Sequence, residues 1–230
     1  MRMRLKKWAR GELDACPFYI GDPEEHKNRW RELFANQGPL EIELGCGKGV
    51  STCQMAFKEK ETNFVAIDIN TSVLGVAKRN AEAAFQGART VDNLLLMNHE
   101  IELIDRVFGP EDAVRRVHIN FPNPWDQRHR QQKHRLTHTR QLLLYREFMA
   151  EGGEIWFKTD DDELFDASLN YFPAAGFAIR ELTRDLHAQW QHPNYVSEHE
   201  KMFTERGVPI KALIAVKDVL PASTEQFMHE

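Results

Sequence analysis

Three glycines that alternate along the chain are the first sign of chemistry in this 230-residue sequence. Gly45, Gly47 and Gly49 follow the apolar run of residues 40–44, and a helix-forming segment begins at Val50. Strand, glycine turn and helix together form the cradle in which nucleotide-binding α/β folds hold a ligand. Glycine suits such a turn because a side chain would keep the ligand from the backbone and left-handed dihedral angles cost glycine little.

Two acidic residues indicate which ligand this cradle takes. The spacing G-x-G-x-G differs from the dinucleotide pattern G-x-G-x-x-G and from the phosphate-binding P-loop. Glu43, two residues before the first glycine, suits a ligand with an ammonium group. Asp68 ends the next apolar run, where such folds hydrogen-bond a ribose diol. An amino acid joined to an adenosine fits both acids, so the sequence predicts S-adenosylmethionine (SAM) as the cofactor.

Apolar runs and helical spacings alternate along the rest of the chain. Strands are predicted at residues 40–44, 64–69, 93–98, 116–120, 154–159 and 211–216, and helices at 50–60, after Asp68, at 137–149 and at 162–171. Gly152 and Gly153 are expected to end the helix at 137–149. The alternation predicts an α/β fold with a doubly wound, mostly parallel sheet. Asn98 and Glu100 follow the third strand, where they would contact an adenine amino group or cap a helix.

Composition limits the class of protein. Hydrophobic residues make up 42% of the chain and charged residues 28%, which is ordinary for a soluble globular domain. No apolar run approaches the roughly 20 residues that span a bilayer, and the N-terminus lacks the apolar stretch of a signal peptide. The cysteines, Cys16, Cys46 and Cys53, suggest neither a disulfide framework nor a metal site. We expect a cytoplasmic protein, monomeric or homodimeric, with no membrane partner.

Basic residues concentrate in two segments of a chain whose net charge is −5. The basic arm, residues 1–10, contains Trp8 among its cations, Arg2, Arg4, Lys6, Lys7 and Arg10. It is either a frayed terminus or a phosphate-binding arm with an aromatic ring for stacking. Residues 11–38 are interpreted as a lead-in with one helix around Trp30. The boundaries predicted are an arm and lead-in at 1–38, the catalytic domain at 39–220 and a tail at 221–230.

The second basic segment follows the fourth predicted strand. Residues 120–126 (the motif loop, N-F-P-N-P-W-D) leave the same sheet edge as the glycine turn, so they face the cofactor. Two prolines stiffen this loop. The basic loop comes next and carries Arg128, Arg130, Lys133 and Arg135, interleaved with histidines and glutamines. A solvated surface loop is the alternative, but cations opposite a cofactor favour contact with RNA.

Segments spread along nearly the whole chain resemble the bacterial tRNA (guanine-N7)-methyltransferase family. They are M-R-M-R with K-W-A at the N-terminus, I-E-L-G-C-G-K-G at 42–49, N-F-P-N-P-W at 120–125, F-K-T-D at 157–160, S-E-H-E-K-M-F at 197–203 and G-V-P-I at 207–210. The resemblance implies a Rossmann-like class I SAM-dependent methyltransferase. It also implies methyl transfer to N7 of guanine 46 in the tRNA variable loop.

The resemblance assigns further residues. It places Glu43, Asp68, Glu100 and Asn123 on the family's cofactor positions, and Asp160 with residues 197–200 on its substrate positions. With the residues argued from the chain itself, the predicted cofactor set is Glu43, Gly45, Gly47, Gly49, Asp68, Asn98, Glu100 and Asn123. The predicted substrate set is Gln127, Arg128, His129, Arg130, Lys133, Asp160, Ser197, Glu198, His199 and Glu200. Asn123 is the predicted catalytic position.

Three residues depart from the family pattern, which usually has Asp at Asn123, a Lys near Gln127 and Thr at Ser197. Serine keeps the hydroxyl group, whereas Gln127 lacks a charge that could meet a phosphate. Asn123 puts the role of the family's presumed catalytic acid in doubt. The alternative is therefore a family member that binds tRNA with weak or lost catalysis. A methyltransferase for small molecules is disfavoured by the two basic segments, and a dinucleotide oxidoreductase by the glycine spacing.

The implied reaction needs no general base. Guanine N7 already presents a lone pair in the ring plane, so nothing must be deprotonated before it attacks the activated methyl group. Catalysis then consists of positioning, and carboxylates such as Asp160 and Glu200 would favour the cationic product. For residues 160–163, a capped helix start is compatible with that role.

Overall fold

The computed structural model describes residues 6–126, 128–222 and 224, and its centre is a twisted sheet of eight strands. The strands are β1 (Tyr19–Ile20), β2 (Leu40–Leu44), β3 (Asn63–Asp68), β4 (Leu94–Asn98), β5 (Val114–Asn120), β6 (Met149–Thr159), β7 (Phe177–Thr183) and β8 (Lys211–Lys217). They lie in the order β1-β4-β3-β2-β5-β6-β8-β7. Neighbours from β1 to β6 are parallel, whereas β8 runs antiparallel to β6 and β7. The predicted mostly parallel sheet is confirmed.

Helices cover both faces of the sheet. They are α1 (Ala9–Asp14), α2 (Val50–Lys58), α3 (Thr71–Phe85), α4 (Thr139–Phe148), α5 (Asp162–Ala174), α6 (Leu186–Gln189) and α7 (Glu198–Glu205). The chain moves from β2 towards β4 on one side and from β5 towards β6 on the other. Helix α2 packs against α3 and α4 against α5, and the right-handed rule for parallel crossovers places these two pairs on opposite faces of the sheet. Among the described residues, no helix is long and apolar enough to cross a membrane.

Strands β2 and β5 are neighbours at the point where the strand order reverses. The chain goes from β2 to β3 on one side, and β5 occupies the other side. The crevice outside the carboxyl ends of such a pair is where open α/β sheets bind ligands. All five residues of β2 are buried, with Leu40, Ile42 and Leu44 on one face of the sheet and Glu41 and Glu43 on the other. The glycine turn therefore starts from a rigid strand.

The basic arm docks on the fold from Lys6 onward. Its backbone N–H donates to Ser72 Oγ at 2.9 Å. A Cβ added to Gly75 of α3 would lie 2.6 Å from the Cβ of Ala9, so only glycine permits α1 to pack this closely. The Arg79 guanidinium covers the ring of Trp8 at 3.6 Å. Residues 6–10 are thus docked rather than frayed, and Arg2 and Arg4 lie outside the described residues.

The lead-in contains 3₁₀ turns at Pro23–His26 and Trp30–Leu33, so the prediction of one helix around Trp30 is wrong. Trp30 is fully buried, and its indole N–H donates to the Val107 carbonyl at 2.7 Å. The Asp112 carboxylate accepts from the backbone N–H groups of Trp30 and Asn28. These long-range bonds replace the i to i−4 ladder of a helix. The lead-in consequently shares one core with the sheet.

The sequence patterns missed β1, β7, α1, α6 and α7, and they misplaced the boundary between α4 and β6. Helix α4 ends at Phe148 and β6 begins at Met149, so the prediction that Gly152 and Gly153 end the helix is wrong. The glycines lie inside β6, where the register with β5 jumps between Val114 and Arg116. An irregular strand of this kind has no regular period for a sequence pattern to reveal.

Candidate functional site

The glycine turn lines a cavity of about 630 Å³ at the carboxyl ends of β2 and β5. Gly45, Gly47 and Gly49 have φ angles of 74°, 57° and 65°, all in the left-handed region. A Cβ added at Gly45 or Gly47 would meet no atom within 4 Å. The backbone of this turn is therefore exposed to a space that a side chain would otherwise fill. Its volume lies within the usual range for cofactor sites of about 300–1,000 Å³.

Four parts of the chain build the walls of this glycine-loop cavity. β2, its turn and α2 supply Glu43, Gly45, Cys46, Gly47, Lys48, Val50 and Ser51; α3 supplies Val73; the end of β5 supplies Asn120 and Phe121; and α7 with its cap supplies Ser197, Glu198, His199 and Met202. The fold thus brings the motif loop and the segment 197–202 to the glycine turn, as the resemblance implies.

Glu43 is buried at the inner wall of the cavity. Its carboxylate accepts from Ser51 Oγ at 2.9 Å, from Asn120 Nδ2 at 2.7 Å and from the Thr52 hydroxyl. Burial raises the pKa of Glu43, and the bonds from Asn120 and Ser51 only partly oppose that rise. All three partners are neutral donors. A cationic group in the cavity would supply the positive charge that these hydrogen-bond partners of Glu43 do not carry.

Asp68 joins the end of β3 to the glycine turn. Its two oxygens accept from the backbone N–H groups of Gly47 at 2.9 Å and Asn70 at 2.8 Å. Burial raises the pKa of Asp68, and these two bonds oppose the rise. Each oxygen retains a lone pair for a further donor. Asn98 Nδ2 donates to the Asp68 carbonyl at 3.0 Å, which ties the ends of β3 and β4 together.

Glu100 is exposed just beyond β4. It stands at the N-cap of the 3₁₀ turn Ile101–Arg106 without a side-chain capping bond. The capping alternative for Glu100 is therefore wrong, and its contact with the cofactor stays a prediction.

The motif loop has an unusual backbone. Phe121 and Trp125 adopt φ angles of 53° and 48°, which are costly for residues with large side chains. Asn123 is exposed, and its Oδ1 accepts the Trp125 N–H at 3.0 Å in an Asx turn. An aspartate would make the same bond with one carboxylate oxygen. Asn123 therefore preserves the loop geometry that the family's usual residue would support.

The segment 197–200 uses its side chains in four different ways. Ser197 caps α7 by accepting the Glu200 N–H at 3.1 Å. Glu198 pairs with Lys48 of the glycine turn at 2.8 Å, and the His199 ring stacks on Phe121 with centroids 6.2 Å apart. Glu200 is fully buried and pairs with Lys158 at 2.8 Å. Three of these residues line the cavity, whereas Glu200 fixes the segment to β6.

Asp160 is half-buried at the end of β6, and burial raises the pKa of its carboxyl group. Lys211 Nζ donates to its backbone carbonyl at 2.9 Å. The cap of α5 is the next residue, Asp161, whose Oδ1 accepts the Leu164 N–H at 2.6 Å. Asp161 therefore caps α5, and the Asp160 side chain is not used for capping.

The basic loop divides into exposed and buried cations. Arg128, Arg130 and Lys133 are exposed, consistent with a surface that meets a polyanion. Arg135 is only 1% exposed, donates to the Pro124 carbonyl at 2.7 Å and pairs with Glu163. Arg135 therefore supports the motif loop and does not belong to the surface patch. Gln127 lies outside the described residues, as does the side chain of His129.

Sequence reasoning did not include Asn120, Lys48 and Lys158 in the site. Asn120 ends a buried strand beside the glycine turn and bonds Glu43, and Lys48 bonds Glu198. A polar residue at the carboxyl end of a buried strand was the available signal for Asn120. Nothing in the sequence indicated that Lys158 pairs with a residue 42 positions away.

Comparison with known proteins identifies the family. The methyltransferase family model Methyltransf_4 matches residues 37–213. A tRNA (guanine-N7)-methyltransferase of Clostridium beijerinckii is 51% identical, covering 95% of this chain and 100% of its own length. Its counterpart from Clostridium acetobutylicum is 43% identical, covering 94% and 99%. The chain belongs to the tRNA (guanine-N7)-methyltransferase family.

Solved structures of low identity share the fold of this methyltransferase. The 16S rRNA methyltransferase KamB matches with a TM-score of 0.58 at 13% identity, covering 82% of this chain and 91% of KamB. A 16S rRNA (adenine(1408)-N(1))-methyltransferase variant from Catenulisporales acidiphilia with cosubstrate SAM gives 0.54 at 16%, covering 87% and 93%. The predicted Rossmann-like class I methyltransferase fold is confirmed.

The glycine-loop cavity fits SAM, the cofactor of this class of methyltransferase. The open Cβ positions of Gly45 and Gly47 leave room for a ligand against the backbone. Glu43 offers a buried carboxylate with only neutral partners, and Asp68 keeps lone pairs beside the turn. An ammonium group and a ribose diol match these two acids chemically. The individual cofactor contacts remain predictions.

Proposed function

We propose that this methyltransferase transfers the methyl group of SAM to N7 of guanine 46 in the tRNA variable loop. The observation that carries the proposal is 43–51% identity over nearly full length to proteins named tRNA (guanine-N7)-methyltransferase. The cavity supports it, because the glycine turn, the motif loop and the segment 197–202 meet there. The exposed cations of the basic loop follow the motif loop directly.

The chain acts mainly by positioning. Bound SAM supplies a methyl group on a positively charged sulfur, and guanine N7 needs no base because it carries no proton. The motif loop holds its shape through the Asx turn of Asn123, the Arg135 bond to Pro124 and two left-handed residues. A stiff loop of this kind reduces the entropy that is lost when the guanine is aligned with the methyl group.

We assign to Asp160 the stabilisation of the positively charged product. Methylation at N7 places a positive charge on the guanine ring, which a nearby carboxylate stabilises. Glu200 is already neutralised by Lys158 and is fully buried. Asp160 is half-buried, and its side chain has no ion pair within the part of the chain that the structure describes. We expect Glu200 to act through the position of the segment 197–200.

Asn123 supports a working enzyme in this proposal. Its Oδ1 already holds the motif loop, and its Nδ2 is left to meet guanine O6 or a polar atom of the cofactor. Asparagine at position 123 would abolish catalysis only if the family's usual aspartate accepted a proton during the reaction. Guanine N7 carries no proton, so no such acceptor is needed. The alternative of a tRNA-binding protein without turnover is thus disfavoured at this position.

The exposed cations of the basic loop provide a test of the tRNA-binding surface. Neutral replacements of Arg128, Arg130 and Lys133 should flatten the dependence of log affinity on log salt by about one unit for each phosphate that the protein no longer neutralises. Neutral replacement of Arg180, which is exposed on β7 and pairs with Asp218 outside both basic segments, serves as the control. An unchanged slope in the triple variant would mean that these side chains face bulk water.

Mass mapping of tRNA after incubation with SAM tests the activity itself. We expect one added methyl group on guanine 46, and none on a matched tRNA that carries 7-deazaguanine there and so lacks N7. Methylation at a different nucleotide would contradict the assigned position. Absence of transfer in a single turnover would contradict the activity.

A further inference from the structure

A second cavity of about 440 Å³ lies on the α2 face of the sheet, beside the glycine-loop cavity. Its floor is formed by β5 and β6, and the segment 190–195 forms its roof. The side chains that matter here are those of Arg116, His118, Trp156, Trp190, His192 and Tyr195. Ser51 and Asn120 line both cavities, so the two spaces meet at the carboxyl end of β5.

Ion pairs neutralise the cations around the second cavity. Arg116 pairs with Glu154 at 2.8 Å and with Glu41 at 3.3 Å. Arg115 also pairs with Glu41, and Lys158 pairs with Glu200. A phosphate or another anion would have to compete with carboxylates that already hold these groups. The charges therefore favour an uncharged ligand.

Aromatic rings supply most of the remaining wall. Trp190 and His192 meet Trp156 edge to face, with centroids 6.0 and 5.4 Å away, and lie 5.1 Å from each other. All three rings are half-buried, so part of their surface faces the cavity. Such a wall offers a planar heterocycle both stacking and edge contacts.

Polar atoms at the floor are oriented by their neighbours. His118 Nε2 is held by Glu41 at 2.7 Å, which leaves Nδ1 without a partner among the described residues. Asn120 Nδ2 is held by Glu43 at 2.7 Å, which leaves the amide oxygen as an acceptor. Fixed polar atoms beside aromatic rings are the means by which proteins read the edge of an unstacked base.

We propose that the second cavity binds a second, unpaired nucleobase, next to the site where the guanine is methylated. The proposal rests on the proposed function, because a tRNA bound for methylation brings neighbouring nucleotides to the shared boundary at Asn120. A free nucleoside has the same ring chemistry, so the experiment separates the two sources.

The first arm is a double-mutant cycle between protein and tRNA. The tRNA carries an abasic site at one nucleotide on either side of the target guanine, and the protein carries Trp190→Ala. We expect one abasic position to weaken binding about tenfold, and Trp190→Ala to weaken binding of intact tRNA by a similar factor. Together the two changes should weaken binding no further than either alone.

Tyr171→Ala is the matched control, since Tyr171 is a half-buried aromatic residue of α5, on the opposite face. It should leave affinity for intact and abasic tRNA unchanged. Trp190→Leu keeps the bulk of the side chain without the ring and replaces Trp190→Ala if that variant does not fold. If the effects of Trp190→Ala and of the abasic site on affinity multiply fully at every flanking position, the second cavity does not bind a base of the tRNA.

The second arm uses adenosine and cytidine with saturating SAM, so that adenosine cannot occupy the cofactor site. Saturation-transfer NMR that detects binding to the parent but not to Trp190→Ala, without any coupling in the first arm, would assign the cavity to free nucleosides. No coupling and no nucleoside binding would overturn the proposal. Single-turnover methylation by the parent is measured in parallel, so failure of the proposed function is recognised separately from failure of the second site.

Discussion

Glu41 and Glu43 stand two residues apart on β2, yet their environments are opposite. Both are buried. Glu43 lines the glycine-loop cavity, whereas Glu41 pairs with three side chains that line the second cavity, those of Arg115, Arg116 and His118. Burial alone would raise the pKa of Glu41, but the hydrogen bond and charge of His118 and the charge of Arg116 outweigh burial and lower it to about 2. At Glu43 burial prevails and the pKa is raised, because its partners are neutral donors.

The neighbouring strand explains the difference. In the parallel register, Glu41 lies opposite Arg116 and Glu43 opposite His118. Each glutamate carboxylate bonds the side chain of the β5 residue two positions beyond its register partner. Glu41 therefore bonds His118, and Glu43 bonds Asn120. Glu41 is thus a satisfied structural charge. Glu43 is held by neutral donors, and the nearby charges of His118 and Lys158 do not outweigh its burial, which suits a residue that binds a cationic ligand.

The largest expected effect is on folding stability. Glu41→Ala leaves the guanidinium groups and His118 without their shared carboxylate, which should cost about 3 kcal/mol or more of unfolding free energy. Glu43→Ala removes hydrogen bonds from neutral donors and should cost about 1–3 kcal/mol. Urea unfolding at neutral pH measures both. Equal losses would show that the charged partners of Glu41 do not distinguish the two sites.

The pH dependence should differ in sign between the two glutamates. The folded-state pKa of Glu41 lies near 2, below the ordinary 4.5, so its contribution is complete above pH 4.5 and is lost as pH falls towards 2. Relative to Glu41→Gln, the parent should lose about 3 kcal/mol over that interval.

The raised pKa of Glu43 gives the opposite expectation. Its contribution to stability is present below pH 4.5 and is lost as pH rises through the folded-state pKa. The contribution of Glu43 is measured by comparing the unfolding free energy of the parent with that of Glu43→Gln as pH is raised from below 4.5 to neutral. Parallel stability curves for Glu41→Gln and Glu43→Gln would contradict the comparison.

SAM binding should separate the two cavities. Asp68→Ala removes an acceptor beside the glycine turn and should cost about 1.5–3 kcal/mol, or roughly ten- to a hundredfold in SAM affinity. Trp190→Ala alters only the second cavity and should leave SAM affinity unchanged. Calorimetry with SAM measures both variants. If Asp68→Ala binds SAM as the parent does, the cofactor does not use Asp68.

The smallest expected effect lies at Asn123, outside the walls of both cavities. Asn123→Asp keeps the Asx turn and should methylate tRNA at an equal or higher rate. Asn123→Ala removes the turn bond and the amide, and should slow a single turnover by at least about tenfold, equivalent to about 1.4 kcal/mol. Activity in Asn123→Asp but none in the parent would mean that the chemistry needs the acid.

Local sequence was sufficient for the framework of the site. The apolar run of β2, the glycine turn and Asp68 at the end of β3 depend on short-range patterns, because strand length, backbone freedom and strand ends are encoded within a few residues. The six strands predicted from such patterns are present, and the sheet is mostly parallel as expected. The motif loop was placed beside the cofactor from the strand that precedes it, and family resemblance added the segment 197–200. The fold brings both to the same cavity.

Only the tertiary structure decided which charged residues are available for chemistry. Arg135 and Glu200 belong to motifs that suggest contact with RNA, but long-range ion pairs with Glu163 and Lys158 hold them in the protein. The second cavity likewise depends on the segment 190–195 reaching over β5 and β6. A sequence shows the charge of a side chain but not its distant partner, and desolvation together with that partner determines whether the charge is free to act.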